Sequence, residues 1–92
     1  MTVVTDPVVD QARDEIAALD VRILAILNQR VRKVSELRRY KEENGLAFVD
    51  RDREAWLADY LKRLNRGPLS DAGVDELISF VLALVKREVA RD

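Results

Sequence analysis

Two cations interrupt the apolar pattern of the N-terminal half of this sequence, and a third lies beside it. The apolar residues there recur in steps of three or four, at Val9, Ala12, Ile16, Leu19, Ile23, Ile26, Val34 and Leu37. This spacing is typical of one helix face. Arg30 and Lys41 continue the same line, and Arg13 lies one position beside it. A half-buried cation is costly unless a carboxylate from the protein or a ligand pairs with it. The pattern therefore favours a cationic pocket for a small anionic substrate, and surface pairing of these long side chains is the alternative.

The composition excludes several kinds of chemistry. The chain has 92 residues with no Cys and no His. The absence of Cys excludes disulfides and thiol chemistry. The absence of His removes the commonest metal ligand and the usual proton shuttle. The 16 Lys and Arg residues against 17 Asp and Glu give a net charge of -1. This balance argues against electrostatic wrapping of nucleic acid.

Neither a secretory signal nor a membrane span is indicated. Residues 1–5 carry no charged side chain and lack the basic and long apolar regions of a signal peptide. No apolar stretch approaches the ~20 residues that a membrane-spanning helix needs. We therefore expect a cytoplasmic protein that binds neither membrane nor nucleic acid.

The elements that must position the cations are three helices. Capping residues and helix breakers mark their ends: Asp6-Pro7 and Asn44-Gly45 for the first, Asp50 and 65–68 for the second, and Ser70 for the third. The third helix then runs to the C-terminus, and no segment has the pattern of a strand. The sequence therefore predicts a single all-α domain over residues 1–92.

The length of the first helix predicts a dimer. Its roughly 38 residues would extend about 57 Å at ~1.5 Å per residue. A compact globule of this chain length has a radius of gyration near ~12 Å. The helix must therefore protrude and expose its apolar stripe, and a second copy alongside would cover it. We expect a homodimer.

The combined spacing of these residues resembles the all-α chorismate mutase family. The resemblance is carried by residues 13–16, 18–20 and 23–27, by Arg30 and Lys41, and by residues 50–54 at the start of the second helix. It implies two three-helix chains intertwined into a six-helix homodimer with two equivalent active sites. It also implies conversion of chorismate to prephenate, a step of the shikimate pathway in aromatic amino acid biosynthesis. Each site would take Arg13 from the other chain.

The resemblance implies a role for each site residue. The rearrangement needs no nucleophile, metal, cofactor or general base, only a preorganised field around a reactive conformer. Lys41 would donate to the ether oxygen whose bond breaks, as the main electrostatic catalyst. The substrate is a small dicarboxylate, and arginine binds carboxylates in a bidentate manner. The proposed substrate-binding residues are Arg13, Arg30 and Arg53 for the carboxylates, and Glu54 with the chain at Asp50 for the ring hydroxyl.

The third helix departs from the family pattern. Family members often carry a Ser and, one turn later, a Gln that face the substrate, and residues 83–91 contain neither. Depending on the register, the Gln position falls on Glu88, Val89 or Arg91, and Glu88 is favoured because some relatives place Glu there. It would have to be protonated to donate to the ether oxygen, so activity should then fall as pH rises. A surface role for Glu88 near the C-terminus is the alternative.

This departure leaves other functions open. A weak mutase could depend on an activating partner enzyme that orders its C-terminus. The substrate could be 4-amino-4-deoxychorismate, since a carboxylate at Glu54 could bind a hydroxyl or an amine, or the reaction could be elimination of pyruvate from isochorismate. Outside catalysis, the main alternative is a helical dimerisation module, which would not explain Arg30 and Lys41 on the apolar face.

Overall fold

The protein is built from three helices, α1 (Pro7–Glu43), α2 (Arg51–Leu64) and α3 (Asp71–Ala90). The structure is a computed structural model that describes residues 6–91, and no strand occurs in that range. The all-α, three-helix prediction is thereby confirmed. Helix α1 has 37 residues, close to its predicted length. None of the helices within the described range is long and apolar enough to cross a membrane.

The chain divides into an N-terminal unit that ends at Arg30 and a C-terminal unit that begins at Val31. In the N-terminal unit none of the described residues is buried. Its apolar stripe is present on the helix, but Ile16, Leu19 and Ile23 keep 56%, 52% and 56% of their surface exposed. The stripe that the sequence predicted is therefore an exposed apolar face in the single chain.

The C-terminal unit contains the buried core. Helix α2 packs against α3, and the buried side chains are Val74, Val85 and Val89 of α3. Arg38, near the end of α1, donates from Nη1 to the carbonyl oxygen of Val89 at 2.9 Å. Its guanidinium also lies 5.7 Å from the centroid of the Phe48 ring. A long cationic side chain thus joins the end of α1 to both the following loop and α3.

The end of α1 has the geometry of a Schellman motif. Gly45 adopts a positive φ of 65°, which is favourable for glycine because it has no Cβ. The N–H of Leu46 donates to the carbonyl oxygen of Lys41 at 2.8 Å, and the N–H of Gly45 donates to that of Glu42 at 3.5 Å. The predicted stop at Asn44-Gly45 is confirmed, and it fixes Lys41 in the last turn of α1.

All three predicted N-caps are confirmed. Each side chain accepts a hydrogen bond from a backbone N–H two or three residues further on: Asp6 from Val8 (2.8 Å), Asp50 from Arg53 (3.0 Å) and Ser70 from Gly73 (3.0 Å). Such caps satisfy donors that the first helical turn would otherwise leave unpaired. The cap at Asp50 therefore fixes the backbone from which Arg53 and Glu54 project.

Candidate active site

Lys41 and Asp50 border the same open pocket. This pocket has a volume of about 450 Å³, and its other lining residues are Leu46, Ala47, Val49, Arg51 and Asp52. Lys41 is half-buried, and its Nζ donates to the carbonyl oxygen of Phe48 at 3.1 Å. An ammonium group has three N–H donors, so this bond leaves two of them for a ligand. The structure therefore brings together the predicted catalytic cation and one predicted binding carboxylate.

Glu54 borders a second open pocket, which lies between α2 and α3. The volume of this pocket is about 520 Å³, and it is lined by Val49, Arg51, Glu54, Ala55, Ala58, Asp75, Ile78, Ser79, Leu82 and Lys86. The carboxylate of Glu54 forms an ion pair with Lys86, and the two side chains are 26% and 38% exposed. Val49 and Arg51 border both pockets. We call the first pocket the Lys41 pocket and the second the Glu54 pocket. They are neighbours that share one wall.

Lys86 is the residue that the sequence reasoning missed. It follows Ile78 and Leu82 at intervals of four, and all three line the Glu54 pocket. A cation on an apolar helix row was the signal that singled out Arg30 and Lys41. The same test applied to α3 would have found Lys86.

Asp75 adds a second carboxylate to the Glu54 pocket, but its charge is matched by a partner on α2. The Nζ of Lys62 lies 3.0 Å from Oδ1 of Asp75 and 3.6 Å from Oδ1 of Asp59. The hydrogen bond with Asp75 is the main reason that the pKa of Lys62 is raised from its ordinary value. A second ion pair therefore joins α2 to α3 at this pocket.

Arg53 lies over an aromatic ring at the start of α2. The carbon atom at the centre of its guanidinium is 3.8 Å from the centroid of the Trp56 ring, and Trp56 stacks on Tyr60 with ring centroids 4.7 Å apart. Trp56 remains 40% exposed. Arg53 borders neither the Lys41 pocket nor the Glu54 pocket. The Trp56 ring orients the guanidinium of Arg53, and the N–H edge of the guanidinium remains able to bind a carboxylate.

Arg13 and Arg30 both belong to the N-terminal unit. Arg13 is exposed and Arg30 is half-buried, and neither side chain forms a hydrogen bond or ion pair with another described residue. Seventeen positions of one helix separate them, which corresponds to about 25 Å at ~1.5 Å per residue. The two arginines are therefore too far apart in one chain to hold the same small molecule.

Glu88 is held by charges of its own helix end. Its two carboxylate oxygens accept hydrogen bonds from Nη1 of Arg91 at 3.3 and 3.2 Å. Arg87 lies 3.9 Å away. Glu88 borders neither the Lys41 pocket nor the Glu54 pocket. To donate to a substrate it would have to leave Arg91 and take up a proton.

Residues that could hold a metal ion are not clustered in residues 6–91: no three Asp or Glu side chains come together there as ligands. The pockets instead combine lysine, arginine and carboxylate groups with apolar walls. Such a set can bind an anionic molecule, orient it and stabilise charge that develops on it.

Comparisons with known proteins identify the family of the chain. Residues 12–89 match the family described as chorismate mutase type II. The form I structure of chorismate mutase from Thermus thermophilus is 30% identical, with a TM-score of 0.82, and the match covers 84% of this chain and 96% of that one. The form II structure of chorismate mutase from the same organism is 28% identical, with a TM-score of 0.86, and the match covers 91% and 96% of the two chains. No curated protein gave a significant match. The family match spans most of the chain, and the chain therefore belongs to the chorismate mutase type II family.

Proposed function

We propose that the protein is an isomerase that converts chorismate to prephenate. The observation that carries this proposal is Lys41, a half-buried ammonium on an open pocket, in a chain whose residues 12–89 match the chorismate mutase type II family. The family supplies the substrate, and the pocket supplies a charge suited to the reaction.

The proposed mechanism is electrostatic. The substrate breaks one carbon–oxygen bond of its ether and forms one carbon–carbon bond within the same molecule, so no group or proton leaves. Negative charge builds on the ether oxygen as its bond breaks. Lys41 donates a hydrogen bond to that oxygen and stabilises the charge in the transition state more than in the ground state. Its bond to the Phe48 carbonyl supports this role, because it holds the ammonium in place before the substrate arrives.

The other proposed residues bind and orient the substrate. Arg13, Arg30 and Arg53 bind the two carboxylates, and each of these guanidiniums lacks an ion pair among the described residues. Asp50 and Glu54 hold the ring hydroxyl. Binding both ends of the substrate selects the reactive conformer and lowers the entropy cost of the rearrangement.

We propose that the active form is a homodimer in which two three-helix chains form one six-helix body. Two observations support it. The apolar face of the N-terminal unit is exposed in the single chain, and Arg13 lies about 25 Å from Arg30 along one helix. If both arginines bind one substrate molecule, they must come from different chains.

Helix α3 supports a further part of the proposal, an activating partner. Glu88 is bonded to Arg91 rather than turned to a pocket. A partner enzyme that reorders the end of α3 would release Glu88 from Arg91, and the carboxyl group, once it takes up a proton, would donate to the ether oxygen.

We also propose that residues 1–92 act as one domain, in the cytoplasm.

The direct test is chorismate consumption by the purified protein, with identification of the product. Prephenate formed by the wild type and abolished in Arg30→Ala would support the function and the carboxylate-binding role together. A folded dimer that consumes no chorismate, alone or with a candidate partner enzyme, would contradict the proposal.

A second experiment separates an enzyme from a helical dimerisation module. Replacing both Arg30 and Lys41 with Leu should leave a pure module equally or more stable, because unpaired cations on an apolar face are costly. In an enzyme the same change should abolish substrate binding, measured by calorimetry.

A further inference from the structure

We propose that Lys86 makes this enzyme selective for a substrate whose ring carries a neutral hydroxyl, and against one that carries an ammonium group. The inference rests on the proposed function and deepens it, since it chooses between chorismate and 4-amino-4-deoxychorismate. It assigns Lys86 as a positioning residue that acts through Glu54.

Glu54 already has an ion-pair partner. Glu54 at the start of α2 is ion-paired with Lys86 of α3, and both side chains are half-buried. A carboxylate held in this way keeps lone pairs that accept a hydrogen bond from a hydroxyl. It does not have a full uncompensated charge to offer to a second cation.

The pocket around Glu54 contains further charged side chains. Four charged residues line it, namely Arg51, Glu54, Asp75 and Lys86. The charge of Asp75 is matched by Lys62 at 3.0 Å. Both carboxylates that line the pocket therefore have a lysine partner, Glu54 with Lys86 and Asp75 with Lys62, and neither is left unpaired for a second cation.

The ion pair of Glu54 and the charges of its pocket affect the two substrates in opposite ways. A ring hydroxyl that donates to Glu54 leaves the ion pair with Lys86 intact. A ring ammonium at the same place would lie beside the ammonium of Lys86, and like charges at short range are repulsive in a partly buried site. Rejection through a repulsive group is a general way to achieve specificity. Lys86 therefore supplies the discrimination that a carboxylate alone would lack.

The experiment measures kcat and KM for chorismate and for 4-amino-4-deoxychorismate in the wild type and in Lys86→Met and Lys86→Arg. We expect the wild type to prefer chorismate in kcat/KM by a factor on the order of ten or more. Lys86→Met should remove most of this preference, mainly by lowering KM for the amino compound. Lys86→Arg keeps the positive charge and should therefore keep the preference for chorismate.

The matched control is the double variant Lys62→Met with Asp75→Asn, which removes the other ion pair that links α2 to α3 and leaves no unmatched charge at the pocket. If Lys86 served only to hold the two helices together, Lys86→Met and the control would both lower stability and leave the substrate preference unchanged. Circular dichroism melting of each variant separates this structural effect from the change in preference. An unchanged preference in Lys86→Met, or a wild type that favours the amino compound, would overturn the inference.

Failure of the inference is distinguishable from failure of the proposed function. Turnover of chorismate by the wild type tests the function, whereas the ratio between the two compounds tests the role of Lys86. If neither compound is converted, calorimetric affinities of both compounds for the wild type and Lys86→Met give the preference in binding, and its loss in Lys86→Met tests the same role. Absence of binding by either compound would overturn both.

Discussion

The ammonium of Lys41 is bonded to a backbone carbonyl, not to a carboxylate. Its hydrogen bond to Phe48 is 3.1 Å long, and the carbonyl belongs to the loop that the Schellman motif begins. A neutral partner orients the ammonium, and no carboxylate of residues 6–91 forms an ion pair with it. At the residue scale this is the state that a group needs if it is to stabilise negative charge on a substrate.

Replacement of Lys41 by Ala should remove the main electrostatic catalyst. We expect kcat for chorismate to fall by a factor of roughly 10²–10³, about 3–4 kcal/mol of transition-state stabilisation, as for loss of an oxyanion donor. Lys41→Arg keeps the charge and should retain more activity. Steady-state kinetics measure both variants, and a nearly normal kcat in Lys41→Ala would contradict the assignment of Lys41.

Glu88 can be tested through its protonation. A carboxylate bonded to Arg91 cannot donate to an ether oxygen, whereas a glutamine amide donates at any pH. If Glu88 acts as a donor, wild-type activity should fall as pH rises from mildly acidic to neutral, and Glu88→Gln should be more active than the wild type at neutral pH. The pH dependence of kcat in both proteins is the measurement.

The control for this prediction is Glu88→Ala, which has neither donor. Equal activity of the alanine variant, the glutamine variant and the wild type across that pH range would assign Glu88 to the surface of α3.

At the scale of elements, α2 and α3 are joined by two lysine–carboxylate pairs, Lys62 with Asp75 and Lys86 with Glu54. The hydrogen bond with Asp75 raises the pKa of Lys62 above its ordinary value of 10.5. A group whose pKa is raised by folding stabilises the folded state below its unfolded pKa. This contribution is therefore complete at neutral pH and is lost only as pH rises through the raised pKa of Lys62.

Lys62→Met should accordingly lower the free energy of unfolding at neutral pH by weakening the contact of α2 with α3. Asp59→Asn is the matched control, because Asp59 lies further from Lys62, at 3.6 Å, and is 73% exposed. Urea denaturation of the three proteins at pH 7 is the measurement. A loss of stability in Asp59→Asn equal to that in Lys62→Met would argue against a specific role for the pair with Asp75.

At the scale of the whole molecule, the separation of Arg13 and Arg30 predicts complementation between chains. In a mixed dimer of Arg13→Ala and Lys41→Ala, one site would have both residues intact and the other would lack both. When equal amounts of the two inactive proteins are exchanged, half of the dimers are mixed. We expect about a quarter of the wild-type activity to return, measured after unfolding and refolding the two variants together.

Two results would argue against an active site shared by two chains. Either the refolded mixture stays as inactive as its components, or Arg13→Ala alone keeps full activity.

The ends of the helices could be predicted from sequence because they depend on local chemistry. A side chain of Asp or Ser caps backbone groups within three residues, and Gly45 reverses the chain at the end of α1 without a distant partner. The stop at Asn44-Gly45 and the cap at Ser70 are therefore both confirmed. The same holds for the number of helices, which the apolar periodicity predicts together with these caps and breakers.

The partners of the site residues were less accessible to sequence reasoning. Whether Glu54 meets Lys86 depends on how α2 is aligned with α3, a relation between residues 32 positions apart that no local pattern encodes. The contact of Arg53 with Trp56 differs, because residues three apart on a helix are neighbours. That pair could have been predicted, although the exposure of Trp56 could not. The roles of the site residues in catalysis stay predictions.

Trp56 is the single tryptophan of the sequence, and it lies beneath a guanidinium proposed to bind substrate. Indole emission is sensitive to nearby charge. A carboxylate that draws Arg53 away from the ring would therefore change the fluorescence of the protein without any added label. The chain thus carries its own optical probe beside one binding group, so ligand affinities and rates of exchange can be followed in stopped-flow experiments even with variants that no longer turn over.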